Sequence, residues 1–196
     1  LEKESSEERV RALRVVHDEL MRDTTFNLRY NAARVMLQIM KEFVRAHGDV
    51  FTPVTYMNST AALKAFCGAR GGVVCTSSNA PKVLEWAWAR KPKVFFFPDQ
   101  HLGRNSSHAM GVPLTQMATW DWRAEDLANV NAAAYRPDTR IVLWQGFCSV
   151  HTKFAKHQID EARAADPAVK VLVHPECPFD VVQNADLAGS TEYIID

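Results

Sequence analysis

Apolar positions set two rhythms along the chain. Val10, Leu13, Val16 and Leu20 recur every three or four residues, which predicts an amphipathic helix over 6–22. Ser5 or Ser6 can cap it, with Glu7 and Glu8 in its first turn. Leu28, Ala32, Val35, Met36, Ile39, Met40 and Phe43 form the stripe of a second helix over 27–46, and Gly48 stands where a stop is expected. Residues 1–48 therefore read as a helical hairpin with a packing face and a structural role. His17 and His47 have no partner at metal-ligand spacing and read as surface residues.

From Thr52 onward, short β-type runs alternate with helical stretches. Strands are predicted at Val54–Met57, Gly72–Thr76, Lys93–Phe97, Arg140–Trp144 and Val169–Val173, with a short strand start at Asp186–Gly189. Helices are predicted at Ser59–Phe66, Ala80–Arg90, Thr152–Ala165 and Pro178–Asn184, and a loop-rich insertion from His101 to Thr139. Strand–helix alternation with short connections is the mark of a parallel α/β sheet. The expected organisation is a hairpin at 1–48, a central α/β domain at 49–146 and the incomplete start of a further α/β domain at 147–196.

Composition narrows the function. The 196 residues carry 23 Lys+Arg against 23 Asp+Glu, a net charge of zero, which argues against nucleic acid or an acidic membrane as partner. No apolar run reaches transmembrane length and no signal peptide opens the chain, so a cytoplasmic, reducing setting is expected. Cys67, Cys75, Cys148 and Cys177 form no CxxC pair and no zinc-ribbon spacing. Taken singly, each reads as a buried small hydrophobe.

In open parallel sheets, ligands bind beyond the carboxyl ends of the strands. The polar residues fall there: Asn58, Ser59 and Thr60; Ser77, Ser78 and Asn79; Asp99 and His101; Gln145, Cys148 and His151; His174, Glu176 and Cys177; Ser190 and Thr191. Ser59 and Asn79 are candidate N-caps, and Pro81 suits a first helical turn. The Ser59 and Ser77–Ser78 turns read equally as plain caps or as cradles for carboxylate or phosphate.

Six motifs then carry a resemblance. Tyr56-Met-Asn-Ser-Thr-Ala-Ala-Leu-Lys-Ala, Cys75-Thr-Ser-Ser-Asn-Ala, Phe97-Pro-Asp-Gln-His-Leu-Gly-Arg, Trp144-Gln-Gly-Phe-Cys-Ser-Val-His, Val173-His-Pro-Glu-Cys-Pro and Gly189-Ser-Thr, in this order over 50–196, resemble quinolinate synthase. The resemblance implies repeated three-layer αβα domains with parallel sheets around a pseudo-threefold centre. It also implies a [4Fe–4S] cluster held by three cysteines, with one iron open to substrate. The implied reaction condenses iminoaspartate with dihydroxyacetone phosphate to quinolinate in de novo NAD biosynthesis, with an aspartate-oxidising enzyme as candidate partner.

Carried over residue by residue, Cys148 matches a cluster ligand. Tyr56, His174 and Glu176 match catalytic positions, and Asn58, Ser77, Ser190 and Thr191 match substrate-binding positions. Cys75 and Cys177 do not match ligand positions and read as structural, as does Cys67 beside Phe66. His151 either orients Cys148 or caps the next helix; Asp99, His101 and Arg104 either shape a loop or take part in catalysis. Four of the five tryptophans fall between Trp86 and Trp122 and read as packing.

The family's early His/Tyr motif and first cluster cysteine have no counterpart, since no cysteine precedes Cys67. Its last cysteine motif is expected beyond Asp196. One cluster ligand of three is therefore expected here, and the chain alone should be inactive. Two competing readings stand: a non-catalytic α/β module for small dicarboxylates or phosphate esters, and an unrelated α/β enzyme, which the ordered motifs disfavour.

Overall fold

The computed structural model describes Arg11, Val15, residues 50–120 and residues 136–195. The hairpin expected at 1–48 lies outside the described residues apart from Arg11 and Val15, both helical and exposed.

Residues from 50 onward form a doubly covered parallel sheet. Strands β1 (Phe51–Tyr56), β2 (Val73–Cys75), β3 (Lys93–Phe97), β4 (Met117–Trp120) and β5 (Ile141–Trp144) lie in the order β2-β1-β3-β5-β4, every pair parallel. Helices α1 (Ala61–Gly68), α2 (Ala80–Trp88) and α3 (Gln100–Ala109) pack on the two faces. A second unit holds α4 (Lys156–Ala165), β6 (Leu172–Val173), α5 (Phe179–Asn184), β7 (Leu187–Ala188) and α6 (Thr191–Ile195), with β6 and β7 paired in parallel.

Every residue of β1 is buried, as expected for a central strand covered on both faces. Pro53 lies in it without breaking the sheet, because pairing with β2 begins one residue later at Val54–Val73. Strand β3 divides the core. Val94 and Phe96 pack with Leu84, Leu102, Ile141 and Leu143 on the side of α2 and α3. Phe95 and Phe97 turn to the other side, where Phe97 meets Phe66 at 6.1 Å and Phe95 meets Trp120 at 5.9 Å between ring centroids.

The structure corrects the expected loop-rich stretch from His101 to Thr139. Within it lie α3 and β4. Helix α3 reads Gln-His-Leu-Gly-Arg-Asn-Ser-Ser-His-Ala, too polar for an apolar stripe, yet Gly103, Asn105, Ser106 and Ser107 are buried. Strand β4 alternates half-buried and buried positions and pairs with β5 at the sheet edge. Helix α4 starts at Lys156, later than expected, after a single 3-10 turn at His151–Lys153. The helix expected at Ser59–Phe66 also starts later, at Ala61. Its cap is Thr60, whose hydroxyl accepts from the Leu63 N–H at 3.4 Å, while Ser59 accepts from the Thr55 hydroxyl at 3.0 Å. Asn79 precedes α2, but its side chain accepts from the Thr76 N–H at 2.7 Å rather than capping the helix.

Candidate functional site

Strand order reverses between β1 and β3, and in such sheets the crevice at that point receives ligands. Tyr56 ends β1 on one side of it, and Asp99 follows β3 on the other. The loop after β5 brings Cys148 and His151, and the turn after β6 brings His174 and Glu176. The Cys177 N–H closes that turn by donating to the His174 carbonyl at 3.0 Å.

These groups converge. One ligand atom each from Cys148, His151 and Glu176 lies within 4.8 Å of the others, a candidate metal site. The Tyr56 hydroxyl donates to Glu176 Oε2 at 3.3 Å across 120 residues of sequence. The Ser77 side chain lies near the same phenol and opposes the rise in its pKa. The His151 and His174 rings stack with centroids 4.6 Å apart. Tyr56, His174 and Glu176 are buried, while Cys148 and His151 are half-buried.

Burial sets the protonation states. It raises the Tyr56 phenol to about 12, with the Glu176 charge adding to the effect, so Tyr56 is a proton donor at neutral pH. Burial raises Glu176 too, opposed by the bond from Tyr56. Burial lowers His174 to about 4, with His151 adding to the effect, and lowers His151 as well. The Nδ1 atoms of His174 and His151 stand 3.4 and 3.6 Å from Glu176 Oε2. These contacts are not ion pairs, because both imidazoles are pushed to the neutral form. His174 Nδ1 accepts the Glu176 N–H at 3.2 Å, which leaves its proton on Nε2. That buried Nε2 meets no hydrogen-bond partner among the described residues.

Of the residues predicted from sequence, the structure brings Tyr56, Ser77, Cys148, His174 and Glu176 together. Asn58 is exposed, two residues past Tyr56. Thr191, exposed, lines an apolar groove of about 500 Å³ together with His151, His174 and Cys177. Ser190 instead supports the first turn of α6, accepting the Tyr193 N–H at 3.3 Å. The other cysteines are buried, Cys67 and Cys75 in the sheet core and Cys177 beside Ile159 and Val181.

Asp99 and His151 gain definite places. Asp99, 4% exposed, accepts the Leu102 N–H at 2.8 Å and so caps α3; its second oxygen accepts the Cys148 N–H at 2.9 Å. His151 faces Glu176 rather than capping α4. Its Cys-x-x-His spacing from Cys148, about one turn of 3-10 helix, was the available signal. Asn105, buried and donating to the Pro175 and Cys177 carbonyls at 2.8 and 2.9 Å, left no such signal.

Comparison with known proteins gives the family. Residues 31–196 match the model of the family described as quinolinate synthetase A protein, so the match begins upstream of the motifs, inside the segment assigned to the hairpin. Quinolinate synthase of Geobacillus sp. (strain WCH70) is 49% identical over 152 residues, covering 76% of this chain and 40% of that protein. Those of Corynebacterium glutamicum and Staphylococcus carnosus are 52% and 53% identical, covering 75% and 76% of this chain and 37% and 40% of theirs. The chain thus spans about two fifths of the length of these curated relatives. Among the described residues no helix is long and apolar enough to cross a membrane. With most of its length matched by the family model and about half of the aligned residues identical to curated relatives, the chain belongs to the quinolinate synthetase A protein family.

Proposed function

We propose that this chain contributes the central part of a quinolinate synthase active site, which joins iminoaspartate to dihydroxyacetone phosphate and releases quinolinate. The observation that carries the reading is the meeting of Cys148, His151 and Glu176 within 4.8 Å, with Tyr56 bound to that same glutamate. Family membership supports the reaction class, and this meeting supports its location in the chain.

The donor set fits an iron–sulfur cluster at one corner. Cys148 is the cysteine left half-exposed beside the hollow while the other three are buried, and thiolates are the usual ligands of such clusters. In the proposal Cys148 binds one iron of a [4Fe–4S] cluster, and residues outside this chain supply the remaining ligands. When bound, an iron with an open position supplies Lewis acidity toward a carboxylate or hydroxyl of the substrate.

The chain's own residues do the rest. Tyr56 holds its proton to high pH and can donate it toward a leaving oxygen, with Glu176 orienting the phenol. Glu176, its carboxyl raised by burial, can take up and return a proton. His174 presents Nε2–H as a neutral donor for a carboxylate or carbonyl. In the proposal Asn58, Ser77, Ser190 and Thr191 hold the acidic groups of the substrates. A cytoplasmic setting suits the four free thiols, and an aspartate-oxidising enzyme would supply the unstable imine.

The test uses the full-length protein, anaerobically reconstituted with iron and sulfide and given both substrates. Quinolinate should form, and Glu176→Gln should slow its formation by about 100-fold. If only binding of quinolinate or phosphate is seen by calorimetry, unchanged by Cys148→Ser, the non-catalytic module is the correct reading instead.

A further inference from the structure

The site is assembled from two loops far apart in sequence, and one helix touches both. Asp99, at the N-terminus of α3, accepts the Cys148 N–H, and the Gln100 N–H donates to the Gly146 carbonyl at 2.9 Å, a second tie to the same loop. Asn105, further along α3, donates to the carbonyls on either side of Glu176, those of Pro175 and Cys177. Asn105 lies six positions along from Asp99, a rise of about 9 Å.

Both residues are 4% exposed, and a buried polar side chain is costly unless it is paired. An apolar residue at 105 would pack the helix at no such cost, so the amide there serves the loop; at 99 one carboxylate oxygen caps α3 and the other serves the Cys148 loop. Between the two lies Gly103, where an added Cβ would fall 2.6 Å from Leu143 and 2.7 Å from Phe96. That contact seats α3 at one height on the sheet, and through it both loops inherit a fixed position.

We propose that α3 is the positioning element of the site, setting the Cys148 loop and the His174–Cys177 loop in register through Asp99 and Asn105. This rests on the reading that Cys148 binds iron, and it adds which residues aim that thiol at Glu176. Asp99 and Asn105 are positioning residues, acting through the backbone of the loops they hold. An amide at position 99 can still cap α3, since Asn is as good an N-cap as Asp. It cannot offer acceptors to both the Leu102 and the Cys148 N–H on its two arms.

The test compares Asp99→Asn, Asn105→Ala and, as a control, Thr52→Val in the full-length protein. Thr52 is buried and donates to the Ala87 carbonyl at 2.9 Å, far from either loop, so its loss destabilises the sheet alone. Site-resolved alkylation of Cys148 is followed by mass spectrometry in the metal-free protein, and the electron paramagnetic resonance spectrum of the reduced cluster in the reconstituted protein. Asp99→Asn and Asn105→Ala should each speed Cys148 alkylation by at least about threefold and alter the spectrum, while Thr52→Val does neither. The decisive variant is Asn105→Ala, which touches only the opposite loop. If it leaves Cys148 alkylation at the parent rate, or if Thr52→Val accelerates it equally, α3 does not set the register. Full iron content in Cys148→Ser would instead count against the cluster reading, and the alkylation rates judge the register either way.

Discussion

Tyr56 and Glu176 share one hydrogen bond and one burial, and each changes the other's acidity. The carboxylate raises the phenol, and the phenol's proton, donated at 3.3 Å, holds the carboxyl down against its own burial. Tyr56→Phe removes that donor, so Glu176 should titrate higher still and quinolinate formation should fall about 100-fold with little change in folding. Steady-state kcat and the acid limb of its pH profile check both halves. His174 gives the residue scale a stability signature. Its folded pKa, about 4, is below its ordinary value of 6.5 because burial disfavours the charged ring. A depressed basic group stabilises the fold above pH 6.5, and that contribution is lost as pH falls toward 4. Asp99, raised by burial to about 6, and Glu176, raised too, pull the other way in the same window. The observable is therefore the difference between parent and His174→Gln in urea unfolding. Between pH 6.5 and 4 the parent should lose up to about 3 kcal/mol relative to the variant.

Among the elements, α3 lies close against the sheet at Gly103. Gly103→Ala gains about 1 kcal/mol of helix propensity but drives a methyl into Leu143 and Phe96, both fully buried. The clash should win by about 1–2 kcal/mol, and Gly103→Val should cost more, as a shift in urea midpoint at constant m-value. The same helix marks the limit of what sequence pattern conveys. Strands β1, β3 and β5 were legible because apolar runs such as Lys-Val-Phe-Phe-Phe have no other sensible burial. Helix α3 was not, because its buried positions include Asn105, Ser106 and Ser107, polar residues that leave no apolar stripe to read. Strand β4, four residues at an edge, was too short to show a period. Of the site, Tyr56, Cys148, His174 and Glu176 were legible through motifs at strand ends. The partnership of Asp99 with the Cys148 amide was not, since a side chain bound to backbone leaves no mark on the sequence of its partner.

At the scale of the molecule, the proposal has this chain build one side of the site, with residues outside it supplying the rest. Four cysteines are present, three of them buried, so the chain by itself has one thiol to give to iron. Anaerobic reconstitution of the isolated chain should therefore yield no stable [4Fe–4S] cluster and no quinolinate. A brown, active product from this chain alone would overturn that expectation. The central claim is that Cys148, and not its buried neighbour Cys177, is the thiol that faces iron. Iron and acid-labile sulfide, counted per protein in the full-length parent, in Cys148→Ser and in Cys177→Ser, test it most directly. The account predicts that Cys148→Ser loses the cluster while Cys177→Ser keeps it; a cluster that survives in Cys148→Ser and vanishes in Cys177→Ser would contradict it.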